Sequence, residues 1–200
     1  MLNYLLFFSI ILFYFSSKIS SCYELNETTL FKYYGYDFRT DYIFINYTKE
    51  ITSISPYSLC NYTRLSIFWL AGGSIESFDA KIFQPVKNLS SLFINNNQLR
   101  YLDSSMFAYL NRNKLRELSF WSNKIESIET NTFDLLINLE YLNLAQNRLK
   151  FLNDYLFNKL GNLKYFTLNQ NALVSFNFNS LNCMNELSYF NLCNNQIDTF

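Results

Sequence analysis

Leu139-Glu-Tyr-Leu142-Asn-Leu144-Ala-Gln-Asn147-Arg-Leu149 is the stretch that decides the fold. Side chains alternate between faces along a strand, so Leu142 and Leu144 share one face and Tyr141 and Asn143 take the other. A strand this short cannot bury its apolar face alone. It needs neighbours of the same kind, and the chain supplies them. Leu115-Arg-Glu-Leu118-Ser-Phe120-Trp-Ser-Asn123-Lys-Ile125 precedes it, and Leu163-Lys-Tyr-Phe166-Thr-Leu168-Asn-Gln-Asn171-Ala-Leu173 follows.

Working outward, the same pattern opens at Leu89, with Leu92, Ile94, Asn97 and Leu99, and at Leu187, with Phe190, Leu192, Asn195 and Ile197. The starts at 115, 139, 163 and 187 are spaced by 24 residues. The step from 89 to 115 is 26, which places a two-residue insertion around Asn111 to Lys114. Leu65-Ser-Ile-Phe68-Trp-Leu70-Ala-Gly-Gly73-Ser-Ile75 is a unit with Gly73 at the Asn place. One period earlier, Ile51, Ile54, Leu59 and Tyr62 match Ile75, Phe78, Phe83 and Val86, while the strand half near Phe44 to Asn46 is degenerate. A repeat of this length is the mark of a solenoid, in which stacked units pair their strands in parallel and share one core. Each Leu or Phe buried there is worth roughly 1.5–3 kcal/mol.

The pattern L-x-x-L-x-L-x-x-N-x-L resembles that of the leucine-rich-repeat proteins over roughly residues 41–200. Its second halves, such as Leu102…Phe107…Leu110, resemble the 24-residue extracellular subtype. The resemblance implies an α/β repeat solenoid: a horseshoe with a parallel concave sheet and a convex side of irregular chain, 3-10 turns and short helices. It implies a stacked phenylalanine spine at Phe83, Phe107, Phe133 and Phe157, with Leu181 in the fifth position. Asn97, Asn123, Asn147, Asn171 and Asn195 follow the strands, where an amide satisfies backbone groups left by the bend. They hold the fold and do no chemistry.

The outward places of each unit then face the concave side. Trp69, Phe93, Trp121, Tyr141, Tyr165 and Tyr189 fall on them. Large aromatics with no packing duty on an open sheet face are candidate partner-binding residues, since Trp and Tyr anchor interfaces. Charge near them is sparse, in Arg116, Glu117, Glu140 and Lys164.

Residues 1–21 read as a signal peptide, with an apolar run over Leu2–Phe15 that is too short for a membrane span. Residues 22–64 form an N-terminal cap and degenerate first repeat, and 65–200 the regular repeats. Sequons at Asn26, Asn46, Asn61 and Asn88 suit glycosylation, and no membrane anchor is expected in this chain. Of four cysteines, Cys22 and Cys60 are the favoured disulfide. Cys193 falls on the concave side and Cys183 toward the convex side, so an internal bond between them is not expected. Phe200 sits at the fourteenth place of its unit, which reads as a fragment of a longer chain.

The chain has no histidine, balanced charge (16 basic, 16 acidic residues) and no basic stripe. Triads, phosphate loops and metal sets are missing, so no enzyme, cofactor or metal is expected. A nucleic-acid binder is disfavoured as well. The expected function is extracellular protein–protein recognition through the concave face, for a protein ligand or receptor in adhesion, matrix or receptor work. The alternative is a fragment of a Toll-like pattern-recognition ectodomain that binds a microbial or glycan ligand. Oligomeric state is not addressed by the sequence.

Overall fold

The computed structural model describes residues 24–25, 39–46, 51–56 and 58–198. Seven strands form one parallel sheet. In chain order they are β2 (Tyr42–Asn46), β4 (Ile67–Ala71), β5 (Ser91–Asn95), β7 (Glu117–Ser119), β9 (Tyr141–Asn143), β10 (Tyr165–Thr167) and β11 (Tyr189–Asn191). Each lies beside the next, because each repeat adds one strand to the edge left by the last. Four two-residue strands make two small parallel pairs: β1 (Glu24–Leu25) with β3 (Ser53–Ile54), and β6 (Tyr101–Leu102) with β8 (Ser127–Ile128).

Register follows the sequence period. Leu92 lies opposite Leu118, Leu118 opposite Leu142, and Leu142 opposite Phe166. The two-residue insertion leaves this register intact. It is taken up by an exposed turn in which the Lys114 amide donates to the Asn111 carbonyl at 2.8 Å. First, fourth and sixth places turn inward, and from Leu65 through Leu168 they are essentially inaccessible to water. In the last unit Leu187, Phe190 and Leu192 are partly buried against the same core.

The N-terminal strand is fuller than its degenerate sequence suggests. β2 runs five residues and pairs with β4 along its whole length, with Phe44 opposite Trp69. Ile43 and Ile45 are buried, so the alternation there is intact although its leucines are replaced.

The convex return is built from 3-10 helices and turns: η1 (Ala80–Phe83), η2 (Ser104–Phe107) and η3 (Phe178–Leu181). No α-helix occurs among the described residues. Each 3-10 helix is capped at the same repeat place. Asp79 accepts from the Lys81 amide at 2.8 Å, Asp103 from Ser105 at 2.8 Å, and Asn177 from Asn179 at 3.0 Å. The phenylalanine column lies beneath. Phe133 stacks on Phe157 at 6.0 Å and meets Phe107 at 6.1 Å, while Leu181 is only partly buried.

The asparagine column forms a ladder. Asn147 Oδ1 accepts from the Ile125 amide of the preceding repeat at 3.0 Å, and its Nδ2 donates to the carbonyls of Phe120 and Leu144, each at 3.0 Å. Asn97, Asn123, Asn171 and Asn195 repeat the arrangement. One place earlier the chain turns through left-handed backbone at Asn96, Ser122, Gln146, Gln170 and Asn194, with φ between 52 and 58°. In the first regular unit Gly72 takes this place at φ 73°, the one position among the described residues where glycine matches a backbone need.

Candidate binding face

The outward residues of the sheet come from the third, fifth and seventh places, and the 24-residue period lines up each place across strands. All six aromatics expected to face outward do so. Trp69, Phe93, Trp121, Tyr141 and Tyr165 are half-buried, and Tyr189 is exposed. The structure gathers them into two groups rather than one.

The first group occupies the fifth place of the N-terminal strands. Trp69 and Phe93 lie 4.8 Å apart with a tilt of 49°, and Phe44 continues the row 6.0 Å from Trp69. Tyr42 packs on Phe44 at 5.4 Å. Phe44 and Tyr42 were not expected from the sequence, because their unit lacks the leucine spacing. The alternation Tyr42-Ile-Phe44-Ile-Asn46 was the available signal.

The second group occupies the third place of the C-terminal strands. Tyr141, Tyr165 and Tyr189 stack face to face at 4.6 and 4.3 Å, with interplanar angles of 11 and 4°. Parallel strands sit about 4.8 Å apart, so identical rings in register are driven to stack. Their inner faces are therefore turned to one another; the ladder offers its ring edges and hydroxyls, and only Tyr141 and Tyr189, at its two ends, keep one unstacked face each. Asn143 Nδ2 donates to the Tyr141 hydroxyl at 3.1 Å, and Asn191 does the same for Tyr189 at 3.0 Å. Burial pushes the Tyr165 phenol up to about 12, with the neighbouring Tyr141 and Tyr189 adding to the shift. Burial also raises Tyr141, with Glu117 pushing in the same direction.

Trp121 stands apart from both groups. Its amide is held by Asn95 Oδ1 at 2.9 Å, and the same oxygen accepts from Ser119 Oγ at 2.7 Å. The buried Asn95–Ser119 pair thus fixes the backbone that carries the Trp121 ring.

Beside the face, the second places form a charged row. Glu140 bridges Arg116 at 3.5 Å and Lys164 at 2.8 Å, and this contact raises the Lys164 amine. Among the described residues, no group of His, Cys, Asp and Glu could hold a metal ion. Nor is any helix long and apolar enough to cross a membrane.

Of the other predicted sites, Asn26 and Cys22 lie outside the described residues. Asn61 and Asn88 are exposed, and Asn46 is half-exposed at the seventh place of β2, on the concave side. Cys60 and Cys193 are exposed. Cys193 is at a seventh place, whereas the Cys183 thiol contacts the Phe157 carbonyl at 3.4 Å in the convex return. No disulfide occurs among the described residues.

Known families match most of this chain. The family described as leucine rich repeat matches residues 113–157 and 137–197. The one described as BspA type leucine rich repeat region (6 copies) matches residues 11–133. The chain belongs to the leucine-rich-repeat proteins. No curated protein matches it. Solved structures do. The TLR13 chain of a complex with ssRNA13 is 23% identical, with a TM-score of 0.67 over 78% of this chain and 24% of that one. A chain of the octameric complex of Latrophilin 3, Unc5D and FLRT2 (LRR) is 23% identical, with a TM-score of 0.62 over 71% of this chain and 43% of its own. InlJ from Listeria monocytogenes is 20% identical, with a TM-score of 0.60 over 82% and 32%. This leucine-rich-repeat chain thus spans between about a quarter and under a half of those chains. At such identities the likeness establishes the solenoid fold.

Proposed function

We propose that this leucine-rich-repeat chain is a protein-recognition module whose concave face is the contact surface. The observation that carries the reading is a set of aromatic rings held half-open on a rigid sheet whose core needs none of them. Rigid aromatics lose little freedom on binding and are the common anchors of protein interfaces. The tyrosine ladder favours a protein over single-stranded nucleic acid, because its rings stack on one another and leave no spaced series of free faces for successive bases. The balanced charge of the chain points the same way.

The proposal places the module outside the cell, on the secretory reading of residues 1–21, with glycans at Asn26, Asn46, Asn61 and Asn88 and a bond between Cys22 and Cys60. The likeness to the TLR13 chain supports a second reading, a segment of a pattern-recognition ectodomain with a microbial or glycan ligand.

The test is photo-crosslinking from a reactive residue placed at Phe93 on the concave face, with Phe151, exposed and outside the strands of the sheet, as the control position. A protein captured only from position 93, and released by Trp69→Ala with Trp121→Ala, supports the proposal. Unchanged affinity of that double variant for the captured protein sinks it.

A further inference from the structure

Between the two aromatic groups runs a gap one strand wide. β7 lies between β5 and β9, and opposite Ser91 and Tyr141 it presents Glu117, with the small Ser119 opposite Phe93 and Asn143. Two strand spacings put β5 and β9 about 10 Å apart. Phe93 packs on Trp69 on the β4 side, and Tyr141 stacks on Tyr165 on the β10 side. Their remaining sides border the gap, and among the described residues no ring contact crosses it. Ser91 and Ser119 are small and lie buried beneath the side chains around them, so the half-buried Glu117 and the bordering rings form the surface there.

Glu117 is the only charged residue among the third, fifth and seventh places of the seven strands. No ion pair reaches it among the described residues. The adjacent cation, Arg116, is directed elsewhere, to Glu140 and to the carbonyls of Asn113 and Leu115. A carboxylate with Tyr141 opposite it on one side and Phe93 diagonal to it on the other, in a face otherwise without charge, is complementary to one chemistry, a cation. The rings attract it through their quadrupoles and the carboxylate by direct charge.

On the reading that the concave face binds protein, we propose that the gap over β7 is a subsite for one Lys or Arg side chain of the partner, held by Glu117 between Phe93 and Tyr141. Apolar residues of the partner on one side of that cation then meet Trp69 and Phe44. Polar residues on the other side meet the edges of the tyrosine ladder.

The experiment selects a phage-displayed library of random 12-residue peptides on the full chain, in parallel with Glu117→Gln and Glu117→Lys. The expected result is a position enriched in Lys or Arg by about tenfold on the native chain. That preference should vanish on Glu117→Gln and turn to Asp or Glu on Glu117→Lys, with thermal unfolding unchanged in both. A selected pool without a basic preference, the same preference on Glu117→Gln, or no selected pool overturns the subsite. Counter-selection on Trp69→Ala separates this from the wider proposal. Peptides lost on Trp69→Ala but indifferent to Glu117 leave the concave face standing without its cation subsite. Peptides that ignore both Trp69 and Trp121 remove the concave face itself.

Discussion

Asn147 reaches one repeat back to accept the Ile125 amide at 3.0 Å, and so ties two repeats through a single buried side chain. The same amide serves the Phe120, Leu144 and Ala145 carbonyls. Removing it leaves a buried donor and several carbonyls short of partners, and each buried unmet group costs about 1–3 kcal/mol. Asn147→Ala should destabilise the chain by about 2–4 kcal/mol in urea unfolding followed by circular dichroism. Asn195→Ala, in a half-buried setting that water can enter, should cost under half as much.

The phenylalanine column makes a second prediction. Phe133 is fully buried and touches rings on both sides, Phe107 and Phe157. Phe133→Ala should cost about 3–5 kcal/mol, from lost burial and from the cavity left behind. Phe133→Leu should recover most of that loss, measured by the same unfolding curves.

Alkaline pH should act through the tyrosine ladder. The Tyr165 phenol is raised to about 12 in the folded chain, against an ordinary value near 10 in the unfolded one. The folded state therefore holds its proton more tightly. The resulting stability is fully present below pH 10 and is lost as pH rises toward 12. Absorbance at 295 nm should show late ionisation of the ladder, and Tyr165→Phe should flatten the stability loss across that window.

The charged row beside the sheet should matter little. Glu140 and its two partners are well exposed. Glu140→Gln should lower stability by less than about 1 kcal/mol at low salt and by less still at 1 M salt. A larger, salt-independent loss would show that the bridge is more than a surface pair.

The strands, their register and the side each residue faces were legible in the sequence, for a physical reason. In a solenoid each repeat touches only its neighbours, so a 24-residue period read along the chain is also a list of contacts across it. Leu118 against Leu142 and Tyr141 beside Tyr165 follow from spacing alone. β2 was legible only as a degenerate strand half near Phe44 to Asn46, because its pattern keeps the alternation of Ile43 and Ile45 without the leucines that mark the other units. The left-handed place escaped, since it holds Asn, Ser or Gln in five units and glycine only at Gly72.

From its sequence alone, this chain is a leucine-rich-repeat solenoid with an aromatic concave face, because alternation and period dictate which side chains can reach the core. Only the tertiary structure decided how those aromatics are grouped. Ring orientation depends on what stands opposite on the next strand: Tyr165 meets two tyrosines and stacks, Phe93 meets Trp69 and tilts, and at Ser119 there is no ring to meet. That interruption leaves Glu117 alone between two aromatic groups, a relationship between three strands that no single repeat contains.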